Sequence, residues 1–160
     1  MKTTILSRNL KFAVPTLSLI GLVAFSTLTA AQQKGEFATG AHCSNRTLQG
    51  DYGCSIQGVL LDVPGLPSQA TFVGVTTSHF DGDGNVTGLE HAVVNGMSFN
   101  PGFDTNYGTY SVNPDCTGRA LVNTPNSPVP LDLFFVIEDN GKEFRQVLNS
   151  NALLTVCRRM

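Results

Sequence analysis

ATFVGVTTSHFDGDGNVTGLEHAVV, residues 70–94, is the stretch on which the fold turns. Two runs rich in Val, Thr and Phe, residues suited to a pleated surface, flank a segment rich in Asp, Gly and Asn. Asp81, Asp83 and Asn85 alternate with Gly82 and Gly84, as oxygen ligands do in a calcium loop. An EF-hand loop needs a glycine at its sixth place and a bidentate acid at its twelfth. Counted from Asp81, those places hold Val86 and Ala92, and the flanks alternate with period two rather than 3.6. The motif fails where it must close, so the stretch reads as a β-hairpin. Glycine supplies the positive φ of its turn, and Asp and Asn tolerate it. Pairing Phe80 with Val86 across the turn sets Ser78 against Gly88 and Thr76 against Glu90.

The same grammar continues on both sides. Strand-like runs cover 47–59, 70–80, 86–94, 106–112, 118–123, 131–139, 143–149 and 152–158, each bounded by Gly, Pro, Asn or Asp. Leu60–Ser68, with Pro64 and Pro67, reads as a loop. No window after residue 31 sustains an apolar period of 3.6 over three turns. The chain is therefore all-β. Eight sequential antiparallel strands close into an up-and-down barrel or stack as a β-sandwich, and the strand pattern leaves both open.

Residues 1–31 read as a cleaved signal peptide. Lys2, Arg8 and Lys11 precede an uncharged apolar run, Phe12–Ala30, which ends in small residues, with Thr29 and Ala31 at the −3 and −1 places. Residues 32–42 form a polar, Gly-containing lead-in, and the domain spans 43–160. Without residues 1–31, seven basic and twelve acidic side chains remain, a net charge of −5. Such a balance gives no basic patch to displace counterions from a phosphate backbone, and nucleic acid is not an expected partner. About 129 residues suffice for one core. The four cysteines, Cys43, Cys54, Cys116 and Cys157, all lie in the exported part and read as two disulfides. Zinc is not indicated, because no CxxC pair occurs and His42 has no partner at ligand spacing.

LQGDYG (48–53), FDGDGNVTG (80–88), GTYSVNPDCTG (108–118) and FFVIEDNGKEF (134–144), in that order, resemble a group of small exported bacterial proteins of unknown function. The resemblance covers residues 43 to about 150. It implies an eight-stranded barrel similar in shape to allene oxide cyclase and the lipocalins, with no catalytic residues established. In such a barrel the entry to the first strand, the turn at Asn113–Cys116 and the end of the last strand share one end, which groups Cys43, Cys116 and Cys157. Cys54 lies in the first strand, beside the last strand and Cys157. The implied pairs are Cys43–Cys116 and Cys54–Cys157.

Chemistry is sparse. The chain has no G-x-S-x-G, P-loop or HExxH pattern, and no catalytic residue, metal or cofactor is assigned. His79 and His91 share one face of the hairpin, offset from each other, and lack a third ligand. Glu90 shares the other face with Phe72, Phe80 and Val94. If that face is interior, Glu90 is an acid in an apolar barrel, and Glu90, Phe72 and Phe80 become the candidate ligand-binding residues. The alternation alone does not choose, since Val73, Val75, Leu89 and Val93 mark the opposite face equally well. Asn45-Arg46-Thr47 and Asn85-Val86-Thr87 match the glycosylation acceptor pattern. Three functions follow as expectations: a secreted barrel that binds a small apolar ligand or a surface molecule, an isomerase or cyclase using Glu90, or a structural protein with a filled barrel.

Overall fold

A computed structural model describes residues 42–98 and 100–160. The expected signal peptide at 1–31 and nearly all of the expected lead-in at 32–42 lie outside the described residues.

The hairpin forms as its sequence dictates. Strands β2 (Gln69–Phe80) and β3 (Asn85–Val94) follow the 3-10 turn Asn45–Leu48 and strand β1 (Gly50–Leu61). Their register pairs Phe80 with Val86, Ser78 with Gly88, and Thr76 with Glu90. In the turn, Gly82 and Gly84 carry φ of 86° and 116°. The Asp81 carboxylate accepts the backbone N–H groups of Asp83, Gly84 and Asn85 at 2.8, 2.9 and 2.9 Å. It also accepts the Asn85 side-chain amide at 2.6 Å. These bonds hold its pKa down, to about 2. The carboxylate that most resembled a calcium ligand thus serves as the internal cap of its own loop.

A two-residue strand β4 (Met97–Ser98) follows, then β5 (Asp104–Val112), β6 (Thr117–Asn123), β7 (Leu131–Glu138), β8 (Glu143–Leu148) and β9 (Ala152–Arg159). The eight long strands pair antiparallel with their neighbours, and β9 returns to β1 from Tyr52–Arg159 to Val59–Ala152. The ring is closed, which sets the sandwich aside and leaves the long strands without a free edge. β4 pairs only with the end of β3.

The first strand starts later and runs further than the expected 47–59. Asn45–Leu48 winds as a 3-10 turn and delivers Leu48 into the core, where it is fully buried. Leu60 and Leu61 continue the ladder against Ala70 and Gln69, so the connecting loop is shorter than expected. Strand β4 was not foreseen, being too short to carry a period.

Closure fixes the inner face. Tyr52, Cys54, Ala70, Thr76, Phe80, Val86, Val94, Asn106, Tyr110, Ala120, Phe135, Phe144, Thr155 and Cys157 are buried, while their chain neighbours on the strands mostly face out. At the end nearest the hairpin turn, aromatic rings fill the lumen edge to face. Phe80 lies 4.9 Å from Tyr110 and 5.5 Å from both Tyr52 and Phe144, centroid to centroid. Burial raises the Tyr52 and Tyr110 pKa values. The 3-10 turn seals this floor. Asn45 accepts the Tyr110 hydroxyl on its carbonyl at 3.0 Å and the Val112 N–H on Oδ1 at 2.9 Å. The disulfide Cys43–Cys116 ties the entering chain to the β5–β6 turn, and Cys54–Cys157 joins directly opposed residues of β1 and β9, Cα atoms 4.0 Å apart.

Candidate ligand-binding cup

The two ends of the lumen differ. Near the floor most inward side chains are buried, with Val112 and Ile137 half-buried. Beyond mid-barrel, Ile56, Phe72, Glu90, Ala92, Val122 and Leu133 share the inward parity yet remain only half-buried. A residue can point into a barrel and still meet solvent only if the lumen there is open. The lumen is thus a cup with an aromatic base, whose upper half meets solvent at these side chains while Ala70 and Val94, inward at the same end, are buried.

Both carboxylates stand on one side. On β2, β3, β5 and the start of the β6–β7 connection are Thr76, Glu90, Asp104, Asn106 and Thr124, with Phe72 and Ala92 among them. On the inward face of β1, β7, β8 and β9 are Ile56, Leu133, Leu148 and Leu153, with Gln146 and Thr155 among them. Glu90 pairs with Thr76 on one side and with Asp104 on the other, so the two carboxylates are direct cross-strand neighbours. The Thr124 hydroxyl donates to Glu90 Oε1. Asp104 accepts the side-chain amides of Asn100 and, at 2.9 Å, Asn126. Among the described inward-facing residues of this half there is no Lys, Arg or His.

Two lining groups have no protein partner. Asn106 is 8% exposed and Thr155 is 4% exposed, and the side chain of neither makes a hydrogen bond to the described residues. Yet among the described residues no sealed side-chain nitrogen or oxygen lacks a partner. The free atoms of Asn106 and Thr155 therefore border open space within the lumen. Ser78 and Gln146, on the same face, are likewise unbonded and half-buried. The polar atoms of these four side chains are open to solvent, where water or a ligand can bond to them.

The expected candidates fall in two places. Glu90 and Phe72 line the open half. Phe80 is 4% exposed and sits in the floor, packed among rings, where it shapes the base of the cup rather than its wall. Asn106, Thr155, Gln146 and Asp104 went unrecognised in the sequence. For Asn106 the signal was present, since it stands two residues before Gly108 on the strand face that also holds Tyr110 and Val112. His79 and His91 are both on the outer wall. His79 Nδ1 meets Asp51 at 2.7 Å, and His91 Nδ1 meets the Gly102 carbonyl at 2.7 Å, with no shared ligand geometry. In the two glycosylation patterns, both asparagine side chains are already engaged, Asn45 with Val112 and Asn85 with Asp81.

The outer wall carries two shallow clefts. One, of about 650 Å³, has Phe134, Val136, Val147 and Leu154 between Arg119 and Arg145. Both guanidinium groups are already paired, Arg119 with Asp132 at 2.6 Å and Arg145 with Glu143 at 3.2 Å. The other, of about 610 Å³, runs past His79, Thr87, Leu89 and Tyr107.

No protein-family model, curated protein or solved structure matches the chain. What is defined is a class by architecture: a closed eight-stranded antiparallel barrel with two disulfides. Among the described residues, no helix is long and apolar enough to cross a membrane.

Proposed function

We propose that the protein is an exported binding protein that holds a small molecule in the open half of its barrel. The observation that carries this reading is the pair Asn106 and Thr155, nine-tenths or more buried, unbonded, and facing open lumen. Their polar atoms are not sealed from solvent, which leaves them free to bond water or a ligand. Export is supported by the disulfides, which persist in oxidising compartments, and by the charge and apolar pattern of residues 1–31. The shape that the sequence resemblance implies, one like allene oxide cyclase and lipocalin barrels, supports the same reading by analogy.

The half-buried inward residues favour a binder over a filled structural barrel. The isomerase reading keeps the inward Glu90 that it requires. The other polar groups of the cup, Asp104 apart, are amides and hydroxyls, which hold a ligand more readily than they move its protons.

The test is native mass spectrometry of the purified protein after incubation with a mixture of lipids and small amphiphiles. Thr155→Phe, which fills the lumen from its wall, serves as the control. Adducts on the wild-type protein that disappear in Thr155→Phe are expected. Equal or absent adducts in both would sink the reading.

A further inference from the structure

The wall chemistry of the cup narrows what it can hold. Glu90 and Asp104 face each other across the β3–β5 ladder and point into the same lumen. Like charges placed directly opposite on a sheet repel. The groups that soften this repulsion, the Thr124 hydroxyl and the Asn100 and Asn126 amides, donate hydrogen bonds but bring no charge. Arg159, which also belongs to the inward face, lies at the sealed end. There it is bound to the Thr47 carbonyl at 3.0 Å and the Tyr52 hydroxyl at 2.8 Å. The open half thus holds two carboxylates with no described inward-facing cation. Across from them stand the aliphatic side chains Ile56, Leu133, Leu148 and Leu153, with Thr155 on their side and Asn106 beside Asp104 on β5.

Resting on the binding reading above, we infer that the ligand is an amphipathic amine: a protonated nitrogen set between Glu90 and Asp104, and an apolar body laid along the leucine wall. A cation at this place relieves the repulsion of the two carboxylates in a confined site, where charge pairs count for more than in bulk water. Its N–H groups supply donors that the carboxylates and the Asn106 carbonyl oxygen accept. An anionic amphiphile of the same shape meets two negative charges and no counter-ion. A neutral one fills the apolar wall but leaves the acidic pair as it was.

The experiment compares three probes with one apolar body, n-octylamine, 1-octanol and octanoate, by isothermal titration calorimetry at pH 7 and low salt on the full protein. The expected order is octylamine tightest, by about tenfold or more over octanol, with octanoate weakest. Glu90→Gln keeps the shape and the Thr124 bond, and removes the preference for octylamine over octanol. Asp104→Asn does the same, and carries the test if the first variant does not fold. Equal binding of the three probes overturns the amine preference and leaves the barrel as a binder. No binding of any probe overturns both. Calcium chloride alone binding tighter than octylamine, and lost in Glu90→Gln, overturns the amine in favour of a divalent cation.

Discussion

Arg159 lies over the ring of Tyr52, its guanidinium carbon 5.3 Å from the ring centroid, and donates from Nη2 to the Tyr52 hydroxyl at 2.8 Å. Tyr52 in turn donates to the carbonyl of Gly141. One phenol thereby links the first strand, the last strand and the β7–β8 connection at the sealed end of the barrel. The ring itself is fully buried. Tyr52→Phe keeps the ring contacts and removes both bonds, leaving the Gly141 carbonyl with only the Arg159 Nε–H at 3.3 Å. The expected loss is about 1–3 kcal/mol of unfolding free energy, read by urea denaturation. A variant as stable as wild type would show that the network contributes nothing net.

The Asp81 carboxyl is held at about 2 by the donors of its own turn. The folded state therefore binds this proton less tightly than the unfolded chain, whose aspartates titrate near ~3.9. The contribution is fully present above about pH 4 and is lost as pH falls through 2. Asp81→Asn lowers Tm at pH 7, and the gap to wild type narrows between pH 4 and pH 2. Asp115, Asp132 and Glu143 also have lowered pKa values from their bonded partners, so wild type itself weakens over the acid range. A gap that stays constant down to pH 2 would mean that the turn does not draw on the charge of Asp81.

Gly118 is a packing glycine. Its strand partner Phe135 lays its ring across it, and a Cβ there would fall 2.1 Å from the ring and 2.6 Å from the Ser111 carbonyl. The ring can move, but the backbone oxygen cannot without breaking the ladder. Gly118→Ala is expected to destabilise by about 1–3 kcal/mol. Adding Phe135→Leu to that variant recovers part of the loss, as measured by chemical denaturation. No recovery would place the clash on the backbone alone.

The sequence carried the hairpin register, because Phe80, Val86 and the glycine-rich turn between them admit one pairing that keeps faces matched. It carried both disulfides, once the barrel was assumed. It did not say which face is inside, because Val73, Val75 and Leu89 on the outer wall are as apolar as Phe72, Phe80 and Val94 on the inner. In a barrel this narrow, curvature rather than hydropathy decides, since small residues such as Gly74 and Ala120 fit the lumen. The cup was hidden for the same reason. Asn106 and Thr155 look like surface residues in a polar-alternating strand until closure turns their faces inward. The start of β1 was misplaced because the 3-10 turn at Asn45–Leu48 is held by tertiary bonds to Tyr110 and Val112 as well as by the local Ser44–Thr47 bond, and only the latter lies in the local sequence.

The seam of the barrel has a kinetic meaning. Strand β1 and strand β9 are neighbours in the ring but nearly the whole domain apart in sequence, with 103 positions between Cys54 and Cys157. Pairings of such separation form late, after the loop entropy has been met by more local hairpins. A chain emerging from its amino end presents β1 long before its partner exists, and β2 is the only neighbour it can recruit. The barrel cannot shut until the final strand arrives. Oxidation of Cys54 and Cys157 to each other thus marks the completed circle, and a chain stalled short of β9 retains an unpaired thiol on an open edge.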